Sequence, residues 1–248
     1  MIIELDCGNT SIKWRFLTAE QAVPASFGSV PTLNDLQPIL AKYKGKCSFC
    51  RICSVRGKDF DQRLSEVIFH SLGAPMIFAK TAQTLAGVIN GYAQAASLGI
   101  DRWLALVAAY SLYKGNCLVI DCGTAITADY VAHTGVHLGG VIAPGLRLLQ
   151  STLYQKTSLP QVFETGEFNI AVSTEQAIKA GISSMYSGFI RQQLSCAEQR
   201  FGTQFTLVLT GGDAHFVQQE FAHAMTHKDL VFIGLALACP YPELANDA

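Results

Sequence analysis

MIIELDCGNT (residues 1–10) and CLVIDCGTAIT (residues 117–127) decide the fold, because the chain says nearly the same thing twice. Each stretch is an apolar run of strand character closed by Asp-Cys-Gly: Asp6-Cys7-Gly8 in the first, Asp121-Cys122-Gly123 in the second. Hydroxyl residues follow, Thr10 and Ser11 in one copy, Thr124 and Thr127 in the other. The aspartates lie 115 residues apart in a chain of 248, so each copy opens one half. A carboxylate can orient a hydrated cation, and a glycine lets backbone N–H groups approach a phosphate with no side chain in the way. Two such loops facing each other would clamp a nucleoside triphosphate. A plain hairpin turn is the competing reading, since Gly8-Asn9 is turn chemistry in its own right. Against it, a carboxylate ending an apolar run is costly to bury without a partner, and the arrangement recurs at residue 121.

Composition narrows the classes. Half the residues are hydrophobic and 15% are charged, which supports large cores and argues against disorder. A net charge of -1 implies no general attraction to nucleic acid. No segment approaches 18 uninterrupted apolar residues, so no membrane span is expected. Glu4 and Asp6 interrupt the first apolar run and no basic stretch precedes it, unlike a signal peptide. The eight cysteines then read as reduced thiols, and a cytoplasmic location is expected.

Working outward, residues 2–6 predict a buried strand and Ser11–Leu17 its hairpin partner. Leu33–Tyr43 predicts a helix, Ser48–Val55 a strand, and Met76–Ala79 a short strand. Lys58–Leu72 has helical periodicity, with Phe60, Leu64, Val67, Ile68 and Leu72 on one stripe. An apolar helix runs from Asp101 to Tyr113. The pattern then restarts: strands at 117–121, 125–131 and 136–142, and a helix after Pro144-Gly145. Glu175–Ala197 predicts a long helix, Thr206–Leu209 a strand, Ala214–Ala224 a helix and Leu230–Cys239 a last apolar helix. Strands and helices alternate in each half, the mark of α/β architecture. The expected domains are 1–115 and 116–248, joined near Lys114-Gly115-Asn116.

Absences sharpen the reading. No two glycines stand two apart, so the G-x-G-x-x-G fingerprint is missing, and no Gly-Lys pair is followed by Ser or Thr, so there is no P-loop. The protein-kinase signatures are missing too. Phosphate chemistry in this chain has to use the paired Asp-x-Gly loops.

These loops resemble the phosphate motifs of the actin, Hsp70 and sugar-kinase superfamily, built from duplicated ribonuclease-H-like domains. Three further stretches point to one family. Gly99-Ile100-Asp101-Arg102 looks like the G-x-D-R motif of type III pantothenate kinases. Residues 121–127 fit their D-x-G-T-A-x-T loop, and Gly139-Gly140-Val141-Ile142-Ala143-Pro144-Gly145 fits their G-G-x-I-x-P-G loop. With DCGNT at 6–10, four ordered motifs match across nearly the whole chain.

The resemblance implies two similar actin-like ATPase domains and ATP-dependent phosphorylation of the pantothenate hydroxyl, the first step toward coenzyme A. It implies a homodimer, Mg²⁺ and a monovalent cation such as K⁺ or NH₄⁺. It places ATP contacts on Asp6, Cys7, Gly8, Asn9, Thr10, Ser11, Ile12, Lys13 and Thr124. Asp6 would hold Mg²⁺ through water, as suits an ion that takes few protein carboxylates, and Asp121 the monovalent cation. Tyr92, Gly99, Ile100, Asp101, Arg102 and Thr174 would line the pantothenate site, with Asp101 the base. The family has Asn-Thr where this chain has Ser173-Thr174. Two other readings stay open: a non-catalytic, transcription-linked relative, and another small-molecule kinase of the superfamily.

Each residue also has a structural reading. Asp101 sits where a helix N-cap belongs. Lys13 reads equally as a solvated strand lysine, Arg102 as a surface arginine, Tyr92 as a core tyrosine and Thr174 as part of a helix cap. Gly211-Gly212-Asp213 is an ordinary strand-to-helix turn or the superfamily's adenosine motif. Cys47, Cys50 and Cys53 spell C-x-x-C-x-x-C, but strand alternation sends Cys50 to the face opposite Cys47 and Cys53, so buried thiols are expected. His223 and His227 read as solvent-facing residues rather than a helical metal pair, and Lys42, Lys44 and Lys46 as a solvated loop.

Overall fold

The computed structural model describes residues 1–18, 24–162 and 170–241. Its first sheet contains β1 (Ile2–Cys7), β2 (Ile12–Leu17), β3 (Ser26–Val30), β4 (Phe49–Ser54) and β5 (Met76–Phe78), with α1 (Leu33–Ala41) and α2 (Lys58–Leu72) in the connections. The strand order is β3-β2-β1-β4-β5. The first three strands form an antiparallel meander, and β4 and β5 continue the sheet in parallel with β1. A two-stranded ribbon follows, β6 (Thr84–Leu85) and β7 (Val88–Ile89), then α3 (Ile100–Tyr113).

The second sheet repeats the first, strand for strand. Its members are β8 (Cys117–Cys122), β9 (Ala125–Val131), β10 (His137–Pro144), β11 (Thr206–Thr210) and β12 (Met225–Thr226), with α4 (Leu146–Lys156) and α5 (Thr174–Phe201) between β10 and β11. Their order is β10-β9-β8-β11-β12, again an antiparallel meander extended by two parallel strands. The duplicated Asp-Cys-Gly runs therefore end equivalent central strands, β1 and β8.

The compact units do not follow one cut at residue 115. The first contains Met1–Ala86, Tyr92–Ala108 and the chain from Leu230; the second contains Gly87–Gly91 and Ala109–Asp229. The cause is α6 (Leu230–Ala238), which packs on β1 and β4. Its sequence, LVFIGLALA, is apolar on every side, so it is stable only where it is covered. Gly234 lets it close on α3: a Cβ there would lie 2.1 Å from the Leu104 carbonyl oxygen.

That packing explains how β1 tolerates Glu4. The residue is fully buried, and the register sets it between Arg15 on β2 and Arg51 on β4. Both guanidiniums pair with it, Arg51 at 2.5 Å. Arg15 lies 4.6 Å over the Phe232 ring, and Arg51 donates to the Cys239 carbonyl at 3.1 Å. A buried carboxylate persists only when its charge and lone pairs are met in this way. The opposite face of the sheet is apolar, with Ile3, Leu5, Cys7, Cys50 and Ile52 packed on Leu36, Leu40, Leu64 and Ile68.

Several expected elements differ. Residues 214–224 form only a short 3-10 turn, Ala214–Phe216, and further turns instead of a helix, which removes the helical spacing of His223 and His227. His227 accepts or donates a 2.6 Å hydrogen bond with the Tyr113 hydroxyl, while His223 is exposed. Cys47, Cys50 and Cys53 are buried free thiols. Cys47 shares the core cluster of Cys50 rather than the face of Cys53, because it precedes β4 and escapes the strand's alternation. Lys42, Lys44 and Lys46 are exposed.

Candidate active site

The carboxyl ends of parallel strands in open α/β sheets carry ligand sites, and in the first unit that end is built by β1, β4 and α3. Asp6 is the penultimate residue of β1, flanked in register by Lys13 on β2 and Cys53 on β4. Lys13 Nζ lies 3.5 Å from its carboxylate, so the lysine is a partner of Asp6 rather than merely a solvated strand residue. The Cys53 thiol is hydrogen-bonded to the same carboxylate. Asp6 is only 8% exposed. Burial raises its pKa, Lys13 opposes that shift, and the nearby Asp101 carboxylate adds to it.

The turn 8–11 joins β1 to β2, with Asn9 and Thr10 exposed. A Cβ on Gly8 would meet only the Ser11 carbonyl at 3.6 Å, an ordinary contact. The fold does not demand glycine here, whereas close approach of a phosphate would.

Asp101 and Arg102 open α3. Trp103 N donates to the Gly99 carbonyl at 3.0 Å, so Asp101 stands inside the first turn, not at the N-cap. Its Oδ1 accepts from the Arg102 backbone N–H at 2.8 Å. A Cβ on Gly99 would come within 2.8 Å of that oxygen, so the glycine makes room for the carboxylate. Arg102 is buried rather than a surface arginine. One of its terminal nitrogens donates to the Tyr92 hydroxyl at 3.1 Å, and its guanidinium lies 5.8 Å from that ring's centre. Tyr92 is half-buried, bonded to Arg102 rather than sunk in the core. Gly99, Ile100, Asp101, Arg102 and Tyr92 thus form one cluster, with Asp101 close enough to Asp6 to perturb it.

The second unit repeats the loop with other means. Asp121 is the penultimate residue of β8, between Thr127 on β9 and Thr210 on β11. Its surroundings are tightly packed. Gly211 has φ +91°, and a Cβ there would lie 2.5 Å from Asp121 Oδ1 and from the Cys122 carbonyl. A Cβ on Gly145 would lie 2.3 Å from the Gly123 carbonyl, and Gly145 N donates to the Thr124 carbonyl at 3.1 Å. Asp213 N donates to the Cys122 carbonyl at 2.9 Å. The Asp213 carboxyl is raised by burial, against the attraction of Arg147 and His215. Burial pushes the Cys122 thiol up to about 12, so it stays protonated. Thr174 is exposed as the first residue of α5, and Ser173 is the cap, its hydroxyl accepting from Gln176 N at 3.4 Å.

Sequence reading missed Arg56, Cys53 and Arg147. The first two become visible once β4 is paired in parallel beside β1, because the residues ending β4 must then flank the turn that follows β1. Arg147 lies two residues beyond Gly145, the end of the Gly139–Gly145 motif.

A family model described as type III pantothenate kinase matches residues 2–195. The chain belongs to the type III pantothenate kinase family. Curated relatives carrying that family name are similar over almost their whole length. One from Azotobacter vinelandii is 42% identical over 251 residues, covering 98% of this chain and 100% of its own. One from Pseudomonas aeruginosa is 41% identical over 249 residues, covering 97% and 99%. Among solved structures, a Campylobacter jejuni protein described as a candidate Baf family transcriptional activator aligns with a TM-score of 0.62 at 21% identity, covering 94% of each chain. A candidate 2-dehydro-3-deoxygalactonokinase from Sinorhizobium meliloti aligns at 0.60 with 11% identity, covering 96% and 98%. These two likenesses show a shared fold and nothing finer.

No group of three or more His, Cys, Asp or Glu side chains among the described residues could cage a metal. A single buried carboxylate with a cation beside it suits Mg²⁺, which keeps most of its waters and arrives with phosphate oxygens.

Proposed function

We propose that Asp101 is the base, Asp6 the Mg²⁺ residue and Arg102 the carboxylate anchor in the family's reaction, ATP-dependent phosphorylation of pantothenate on the path to coenzyme A. In the transfer, a bond forms between the pantothenate hydroxyl oxygen and the γ-phosphorus of ATP. The bond from that phosphorus to the ADP oxygen breaks, and the hydroxyl proton passes to Asp101. The observation that carries the assignment is the cluster at the start of α3, where the Asp101 carboxylate lies beside the Arg102–Tyr92 pair and within electrostatic reach of Asp6. Phosphoryl transfer depends on alignment and charge neutralisation more than on a strong base, so an Asp101 carboxylate in a helix's first turn suffices. Arg102 presents a planar fork suited to a substrate carboxylate. Mg²⁺, when bound, neutralises phosphate charge near Asp6.

Residues 6–13 and Thr124 are proposed as ATP contacts, Asp121 as the monovalent-cation residue, and Thr174 as a further pantothenate contact. The Gly211-Gly212-Asp213 turn would serve the adenosine side. A homodimer is proposed as well; Ile142 and Met185, 62% and 60% exposed, are apolar surface that a second copy would cover. No described helix is long and apolar enough to cross a membrane, and cytoplasmic location remains a proposal.

An ADP-release assay with Mg·ATP tests the reading. Turnover with pantothenate, little with sugars, acetate or water, and stimulation by K⁺ or NH₄⁺ are expected. Absence of pantothenate turnover with both cations present would overturn it in favour of a non-catalytic relative, and faster turnover of another acceptor would favour a different small-molecule kinase. Asp101→Asn should cut turnover far more than ATP binding, and unchanged activity would remove Asp101 as the base.

A further inference from the structure

We infer that Arg56 is a positioning residue for the first phosphate loop, holding the Gly8 carbonyl so that the following amide faces the nucleotide. The inference rests on the proposed reading of residues 6–13 as an ATP loop. Arg56 lies just beyond β4, in Ser54-Val55-Arg56-Gly57, and the parallel pairing of β4 with β1 carries it to the turn. Val55 N donates to the Cys7 carbonyl at 3.2 Å, and Arg56 Nε donates to the Gly8 carbonyl at 2.5 Å.

The arginine is itself fixed. Its guanidinium lies 4.7 Å over the ring of Phe60, a buried residue of α2. Its backbone N–H reaches the Ser54 hydroxyl at 3.4 Å, and that hydroxyl donates to Asp61. The cation is therefore held by the core-facing side of α2 rather than by solvent.

Peptide geometry supplies the consequence. In a trans peptide the C=O and N–H point in opposite directions. Anchoring the Gly8 oxygen on Arg56 turns the Asn9 N–H away from α2, toward the exposed side of the turn. Gly8 places little conformational restraint on this peptide, so without the arginine it could rotate and lose its donor direction. An aimed backbone N–H near a fixed positive charge is the arrangement that binds phosphate in glycine-bearing loops.

The test is steady-state kinetics on Arg56→Ala and Arg56→Lys, with calorimetric titration of Mg·ADP as a readout independent of turnover. Arg56→Ala should raise KM for ATP and weaken Mg·ADP binding by about tenfold. KM for pantothenate should be unchanged, and millimolar guanidinium should restore part of the ATP affinity. Arg56→Lys, which keeps the charge and a donor but loses the fork, should fall between. Equal losses for ATP and pantothenate, or unaltered Mg·ADP binding, would overturn the inference. If Arg56→Ala does not fold, unchanged Mg·ADP binding by Arg56→Lys does the same. A parent protein that turns over pantothenate while Arg56→Ala keeps its ATP affinity refutes Arg56 alone; a parent without turnover refutes the underlying reading.

Discussion

The loops after β1 and β8 begin with the same three residues, yet they hold their aspartates differently. Asp6 is buried, with Lys13 at 3.5 Å and a thiol beside it. Asp121 is half-exposed and ringed by glycines whose lack of a Cβ lets three segments of backbone close around it. The first turn is also longer: Asp6 pairs with Lys13 across its hairpin, seven positions on, whereas Asp121 pairs with Thr127, six on. Duplication has kept the strand order and changed the surroundings. On the proposed reading, Asp6 would meet Mg²⁺ arriving with phosphate and Asp121 a monovalent ion.

The largest effect that would break this contrast lies at Asp6. Asp6→Asn should lower turnover about a hundredfold or more, the scale of removing one preorganised electrostatic group. It should also raise the thermal midpoint of the apoprotein by a few degrees near neutral pH. The sign follows from the raised carboxyl. With a folded pKa above the ordinary 3.8, the native state binds the proton more tightly than the unfolded chain. Stability from this group is present at acid pH and is lost as the pH rises through the folded value. The amide removes that loss, so the stability gap should close as the pH falls toward 3.8. A less stable variant at pH 7 would mean the Lys13 pair outweighs burial. Asp121→Ala should leave the midpoint nearly unchanged and weaken K⁺ activation; an unaltered K⁺ response would remove Asp121 from that role.

The glycines give the next contrast. Gly211→Ala imposes a side chain on φ +91° and on an oxygen 2.5 Å away, and should destabilise by about 3 kcal/mol in chemical denaturation. Gly8→Ala should cost under about 1 kcal/mol, because its contact is ordinary, yet should raise KM for ATP. Similar stability losses at both positions would mean that the first loop's glycine is structural too.

Much of this was legible beforehand, and the exceptions have physical reasons. α2 matches its predicted span, Lys58–Leu72, and β9 matches its own. Strand β3 was missed because SFGSV carries little apolar pattern; it is an edge strand whose Gly28 sits against the Trp14 ring. The expected helix at 214–224 does bury Ala214, Val217 and Phe221 at helical spacing. Its backbone nevertheless closes into tight turns, Phe216 N to the Asp213 carbonyl and Val217 N to the Ala214 carbonyl, and the burial period cannot distinguish the two. Motifs located Asp6, Asp101 and Asp121, since a carboxylate at a strand end or helix start is visible in one dimension. Arg56 and Cys53 were not, since their roles depend on which strand lies beside β1. The resemblance had set Tyr92 and Arg102 at one site, but their direct hydrogen bond, across ten residues of chain, was not legible.

The smallest expected effect separates the loops most finely. The residue beside Asp6 on the parallel strand is Cys53, and its counterpart beside Asp121 is Thr210. Burial holds the Cys53 thiol well above its ordinary pKa, so it remains a donor to the Asp6 carboxylate throughout the working range. Cys53→Ala removes that donor and leaves a buried carboxylate one hydrogen bond short, which should raise the Mg²⁺ concentration for half-maximal rate by about threefold to tenfold. Cys53→Ser supplies a stronger donor on a shorter arm and should restore most of the parent's Mg²⁺ response. Thr210→Val, the matching change in the second sheet, should leave the Mg²⁺ response unaltered and act only on activation by K⁺. Titrating both ions against all three variants reads the two loops separately; a shared response to both ions would mean that the aspartates are interchangeable despite their different surroundings.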